Sequence, residues 1–96
     1  MNTETKANSR VVMINAALYS TVDELHAELK RLLGFPDYYG ANFSAYRDCL
    51  EDVSYNLELA FKRTDEENDV AQAVQKIAGI SAEVAFTKRN ITVRFC

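Results

Sequence analysis

The chain has 96 residues, 48% hydrophobic and 26% charged, the proportions of one ordinary globular domain with a single modest core. Its 14 acids against 11 bases give a net charge of −3, which argues against a nucleic-acid binder, since that role calls for a basic stripe. One histidine and two cysteines are too few for a typical structural zinc site, and no run approaches transmembrane length.

Residues 1–9 are polar and lack the apolar centre of a signal peptide, so they read as a disordered tail ahead of one domain spanning 10–96. Cys49 and Cys96, with no secretory signal, read as free thiols in the reducing cytoplasm. Residues 10–15 (Arg-Val-Val-Met-Ile-Asn) form an apolar run of strand length that does not alternate, the pattern of a strand covered on both faces. Thr21 and Glu24 make a capping-box signature. The helix that follows carries Val22, Leu25, Leu29, Leu32 and Leu33 on one stripe, and Gly34 stops it. His26, at the edge of that stripe, reads either as a partly buried histidine satisfied by the backbone or as a catalytic or pH-sensing group.

Next comes a turn, Phe35-Pro36-Asp37-Tyr38-Tyr39-Gly40-Ala41, which delivers the chain to Asn42, a good N-cap for a short helix ending near Asp52 or Val53. On a helical wheel Phe43, Tyr46, Leu50 and Val53 share one side, with Ala45 and Cys49 at its edge. Ser44, Arg47, Asp48, Glu51 and Asp52 share the other. Residues 55–62 alternate, with Leu57, Leu59 and Phe61 pointing one way, as in a strand with one wetter face at a sheet edge. Residues 64–69 make an acidic helix start, and Val70, Val74, Ile77 and Val84 follow at helical spacing. Gly79 leaves one helix or two open over residues 66–88. A competing reading pairs residues 83–86 with 91–95 as a hairpin. Ile91, Val93 and Phe95 alternate as a closing strand. Strands joined by helical crossovers pair in parallel, which gives an α/β fold: a three-stranded parallel sheet with three to four helices packed on it.

The charge is uneven. Between Asp37 and Glu58 five acids face one base, Arg47, so this stretch carries −4 and the rest of the chain +1. The plain reading of such a helix face is a solvated one.

Three strings carry a more specific signal: Leu25-His26, then Pro36-Asp37-Tyr38-Tyr39-Gly40-Ala41-Asn42, then Asp48-Cys49-Leu50. Together they resemble the barstar family, intracellular protein inhibitors of bacterial ribonuclease. The resemblance weakens after Leu50. It implies a barstar-like arrangement with the first strand central, no enzymatic activity and no cofactor. The implied partner is a basic ribonuclease, secreted or contact-delivered, bound one-to-one as by an immunity protein.

By position Asp48 matches the family's central inhibitory aspartate, which sits in the nuclease's phosphate-binding pocket. Tyr38 matches an aromatic contact, Asn42 the residue at the mouth of the helix, Phe43 an apolar contact and Glu83 a peripheral acidic one. The chain also departs from the family. Ser44 stands where the family has a second aspartate, Arg47 where it has a tryptophan, and Asp52-Val53 replaces a glycine-tryptophan pair. Arg47 has two candidate partners, Glu51 at i,i+4 or an acidic group on the bound protein. Tyr39 is expected to pack the turn and not to touch the partner. Two other readings stay open: a non-inhibitory interaction module on the same fold, favoured by Ser44 and Arg47, and an enzyme built on Cys49 and His26.

Overall fold

The computed structural model describes residues 9–96. The elements run β1 (Ser9–Ile14), a short 3-10 turn (Ala16–Leu18), α1 (Val22–Leu33), α2 (Phe43–Glu51), β2 (Asn56–Phe61), α3 (Asp69–Thr87) and β3 (Ile91–Phe95). The strands form one parallel sheet in the order β1-β2-β3. The expected α/β fold is therefore present, with three α-helices. Residues 1–8 of the expected tail lie outside the described residues, and Ser9 already pairs opposite Asn56.

Two expectations about the sheet are corrected together. The central strand is β2 and not β1: Leu59 lies opposite Val12 on one side and Val93 on the other. Nor is β1 covered on both faces. Val12 and Ile14 are buried, but Val11 and Met13 on the opposite face are 60% and 47% exposed. Alternation along a strand reports which sheet face is wet, and says nothing about whether the strand lies at an edge. In β2 the wetter residue is Glu58, which pairs with Arg94 of β3 across the open face.

The helix ends follow their local chemistry. Thr21 Oγ1 accepts the Glu24 amide at 3.1 Å, and the Glu24 carboxylate accepts the Ser20 amide at 2.7 Å, closing the start of α1. Gly34 ends it with φ 70°, a left-handed conformation that favours glycine. The start of α3 lies later than expected, because Asn68 is its N-cap, accepting the Ala71 amide, and the acids at 65–67 belong to the preceding loop. Gly79 does not divide α3. Ile77, Ala78, Ile80 and Ser81 are buried on both sides of it, and that packing outweighs the weak helix propensity of one glycine. The same continuity through Val84 removes the hairpin alternative.

All three helices contribute to one core. Leu25, Leu29 and Leu33 of α1, Tyr46 and Leu50 of α2, and Val74, Ile77 and Val84 of α3 meet Val12, Ile14, Leu57, Leu59, Phe61 and Ile91 of the sheet. Asn90 Nδ2 donates to the carbonyls of Val53 and Tyr55, at 2.9 Å each, and so pins the exit of α2 to the loop before β3.

Leu59→Ala is expected to lower unfolding stability by about 3 kcal/mol, and Met13→Ala by no more than about 0.5 kcal/mol, in urea denaturation. Similar losses for both would mean that the second sheet face is covered.

Candidate functional site

The turn before α2 is held from inside. Tyr39 accepts no solvent role: it is buried, its ring lies 5.1 Å from that of Phe35, and its hydroxyl shares a 2.5 Å hydrogen bond with His26 Nδ1. With the second tyrosine turned inward, the first is turned out, and Tyr38 is 81% exposed. His26 is thus satisfied by a side chain and not by the backbone. Burial lowers its pKa below the usual 6.5, partly offset by the Asp23 carboxylate, so the neutral imidazole is favoured. Burial also pushes the Tyr39 phenol well up from its usual value.

Ala41 takes a left-handed backbone conformation, φ 55°, which costs a residue bearing a Cβ on the order of 1 kcal/mol. The sequence carried no signal of this, since glycine or asparagine is the usual occupant. Asn42 follows, and both ends of its side chain act within the turn. Its Oδ1 accepts the Ala45 amide at 2.8 Å, and its Nδ2 donates to the Gly40 carbonyl at 3.3 Å. Asn42 is therefore a builder of the site, with its polar atoms already engaged.

Helix α2 then presents two faces as the wheel predicted. Tyr46, Cys49 and Leu50 are buried, while Ser44, Asp48, Glu51 and Asp52 are exposed. Tyr46 is fully buried, and its hydroxyl bonds Ser81 Oγ of α3 at 2.7 Å. Ser81 donates its own proton to the Ile77 carbonyl, so Tyr46 is the donor of the pair. Ser81 was visible in the sequence only as a polar residue on the apolar stripe of α3. Phe43 is half-buried, with the His26 ring at 6.0 Å on one side and Lys76 Nζ at 6.0 Å on the other.

Arg47 does not pair with Glu51, the partner on its own helix that the spacing offered. Its guanidinium pairs with Glu83 of α3. The hydrogen bond it donates to Glu83, and then the charges of Glu83, Glu51 and Asp48, raise its pKa further above the usual value. The structure thus brings Arg47 and Glu83 together, and it sets Asp48, Asp52 and Ser44 on the exposed surface of the same short helix. Among the described residues no group of three His, Cys, Asp or Glu side chains is placed to hold a metal ion, and no helix is long and apolar enough to cross a membrane.

What this arrangement offers chemically is a rigid, exposed acidic surface flanked by an aromatic turn. Carboxylates fixed in advance by helix and cap lose little freedom when they meet cationic groups.

Two comparisons with known proteins match this chain. The sequence profile of the family described as "Barstar (barnase inhibitor)" matches residues 9–95. The chain is also 34% identical over 76 residues to the candidate ribonuclease inhibitor YrdF of Bacillus subtilis (strain 168), covering 70% of this chain and 84% of that one.

Two measurements probe how the site is built. The folded pKa of His26 lies below its unfolded value, so the protein is at full stability above about pH 6.5 and loses stability as pH falls below it, until the folded imidazole itself takes a proton. His26 is the single histidine, so the slope of unfolding free energy between about pH 7.5 and 5.5 should vanish in His26→Leu. Asn42→Ala should cost about 1 kcal/mol in thermal or urea unfolding, through the lost cap.

Proposed function

The chain belongs to the barstar family, and from that premise we propose that it is a protein inhibitor which occludes the active site of a cognate ribonuclease, secreted or contact-delivered, and acts as its immunity protein. The observation that carries this reading is the exposed acidic face of α2, held in place by the buried Tyr46–Ser81 pair and set beside the outward-facing Tyr38.

A ribonuclease site is shaped and charged to hold a polyanion. Asp48 stands in for a substrate phosphate there, and Asp52 and Glu51 add to the same field. Tyr38 and Phe43 supply apolar contact at the edge, and Ser44 offers a neutral hydroxyl. Opposite charges on the partners also speed encounter and make it sensitive to salt, an effect for which barnase and barstar are themselves the reference case. Since Arg47 is engaged with Glu83, its positive charge is largely answered within the protein, and the face keeps its acidic character.

The chemistry of the remaining groups favours an inhibitor over an enzyme. Burial, then the nearby Asp52 and Asp48, raise the Cys49 thiol pKa, the opposite of what an activated nucleophile requires. His26 is spent on Tyr39. We place the protein in the cytoplasm as a monomer that binds its ribonuclease one-to-one, without cofactor or metal, and without direct contact to nucleic acid or membrane.

The test is RNA cleavage by the basic ribonuclease that co-purifies with the tagged chain, titrated with wild type and with Asp48→Ala. Wild type should silence it at one equivalent. Asp48→Ala should weaken binding by at least about 2 kcal/mol, roughly 30-fold, and the association rate of wild type should fall with added salt. A partner with no ribonuclease activity would remove the inhibitor reading and favour an interaction module on this fold, and full inhibition by Asp48→Ala would overturn the placement of the inhibitory contact at Asp48.

A further inference from the structure

We propose that the partner-binding surface continues from α2 across the Arg47–Glu83 pair onto the outer stripe of α3, where Phe86 takes a basic side chain of the ribonuclease over its ring. This rests on the inhibitor reading above and extends it to residues outside the motifs that resemble the family.

Phe86 is 91% exposed, more than any other large hydrophobic side chain among the described residues. It follows Glu83 by three residues, which makes the two neighbours on the helix surface. Glu83 in turn holds Arg47, the residue before Asp48. The contacts between the helices climb both together: Phe43 with Lys76, Tyr46 with Ser81, Arg47 with Glu83. Helices α2 and α3 therefore run alongside each other in the same direction, and Phe86 lies one turn beyond Glu83 on α3.

A second observation is independent of the first. Gly79 lies two turns before Phe86 on the same stripe, with the exposed Ala82 between them. A Cβ added at Gly79 would meet nothing within 4 Å, and the residue has no positive φ to require glycine. Glycine inside a helix costs about 1 kcal/mol relative to alanine, and nothing among the described residues accounts for it here. A bare backbone flanked by a small residue and a projecting aromatic ring is a surface that lets a second protein approach closely.

The chemistry of the occupant follows from the ring itself and from the acidic face of α2 that it adjoins. Glu83, paired with Arg47, lies on its α2 side, and the charges of Glu51 and Asp48 act on the same guanidinium. Arg89 lines a hollow with Ser9, Glu58 and Asn90 toward the sheet, and the half-buried Lys88 follows the helix. The face of a phenyl ring attracts an arginine or lysine head group. A basic ribonuclease supplies such groups at the rim of its active site.

The experiment measures affinity of Phe86→Ala, Phe86→Leu and Gly79→Leu for the co-purifying ribonuclease, beside wild type and Asp48→Ala, with a thermal unfolding scan of each free variant. Phe86→Ala and Phe86→Leu should bind about tenfold or more weakly with unchanged unfolding temperature, because the side chain is 91% exposed. Gly79→Leu should be at least as stable as wild type and yet bind about tenfold more weakly. Wild-type affinity in either Phe86→Ala or Gly79→Leu, beside a collapsed Asp48→Ala, would overturn this extension and leave the inhibitor reading standing. Retained affinity in Phe86→Leu would overturn the contact between a cation and the ring. Wild-type affinity in Asp48→Ala as well would overturn both this extension and the placement of the binding surface on α2.

Discussion

The acidic face depends on how Tyr46 is held. Its ring is fully enclosed between α2, α3 and the turn, and its hydroxyl would be an orphan there without Ser81. Ser81 can accept because its own proton goes back to the Ile77 carbonyl in the preceding turn of α3. A buried hydroxyl left without a partner costs more than the bond itself contributes, so this pair fixes one rotation of α2 against α3. That single rotation turns Asp48, Glu51 and Asp52 outward together. The Phe35 ring, 5.9 Å from Tyr46 and 5.1 Å from Tyr39, carries the same constraint into the turn.

The turn repeats this logic with different groups. Tyr39 goes inward because His26 waits for its hydroxyl, and Tyr38 is thereby forced outward. Ala41 sits in an unfavourable conformation, and the doubly engaged Asn42 offsets it while starting the helix. Strain next to a presented surface is common where surrounding packing over-determines the backbone. Buried polar pairs thus stand behind both the aromatic and the acidic parts of the surface.

Charge on this surface is arranged by tertiary contacts as much as by composition. A lone arginine in an acidic helix would by itself weaken the field. Its pairing with Glu83 ties α2 to α3 on the exposed side, as Tyr46 does on the buried side. Surface ion pairs contribute little to stability, so its main consequence is where it leaves the remaining acids.

The sequence by itself determined the elements, their parallel pairing and the two faces of α2, because these depend on local capping chemistry and on period. It also marked Asp48 and Tyr38, through a string of unusual composition. It did not show which strand is central, or that one face of the sheet is open, because alternation is the same for an edge strand and for a central strand with one wet side. Whether Gly79 breaks the helix was open to local propensity and was decided by the buried residues on both sides of it. The partners of His26, Tyr46 and Arg47 lie 13, 35 and 36 residues away, and only the packing of helix on helix and turn on helix could choose them.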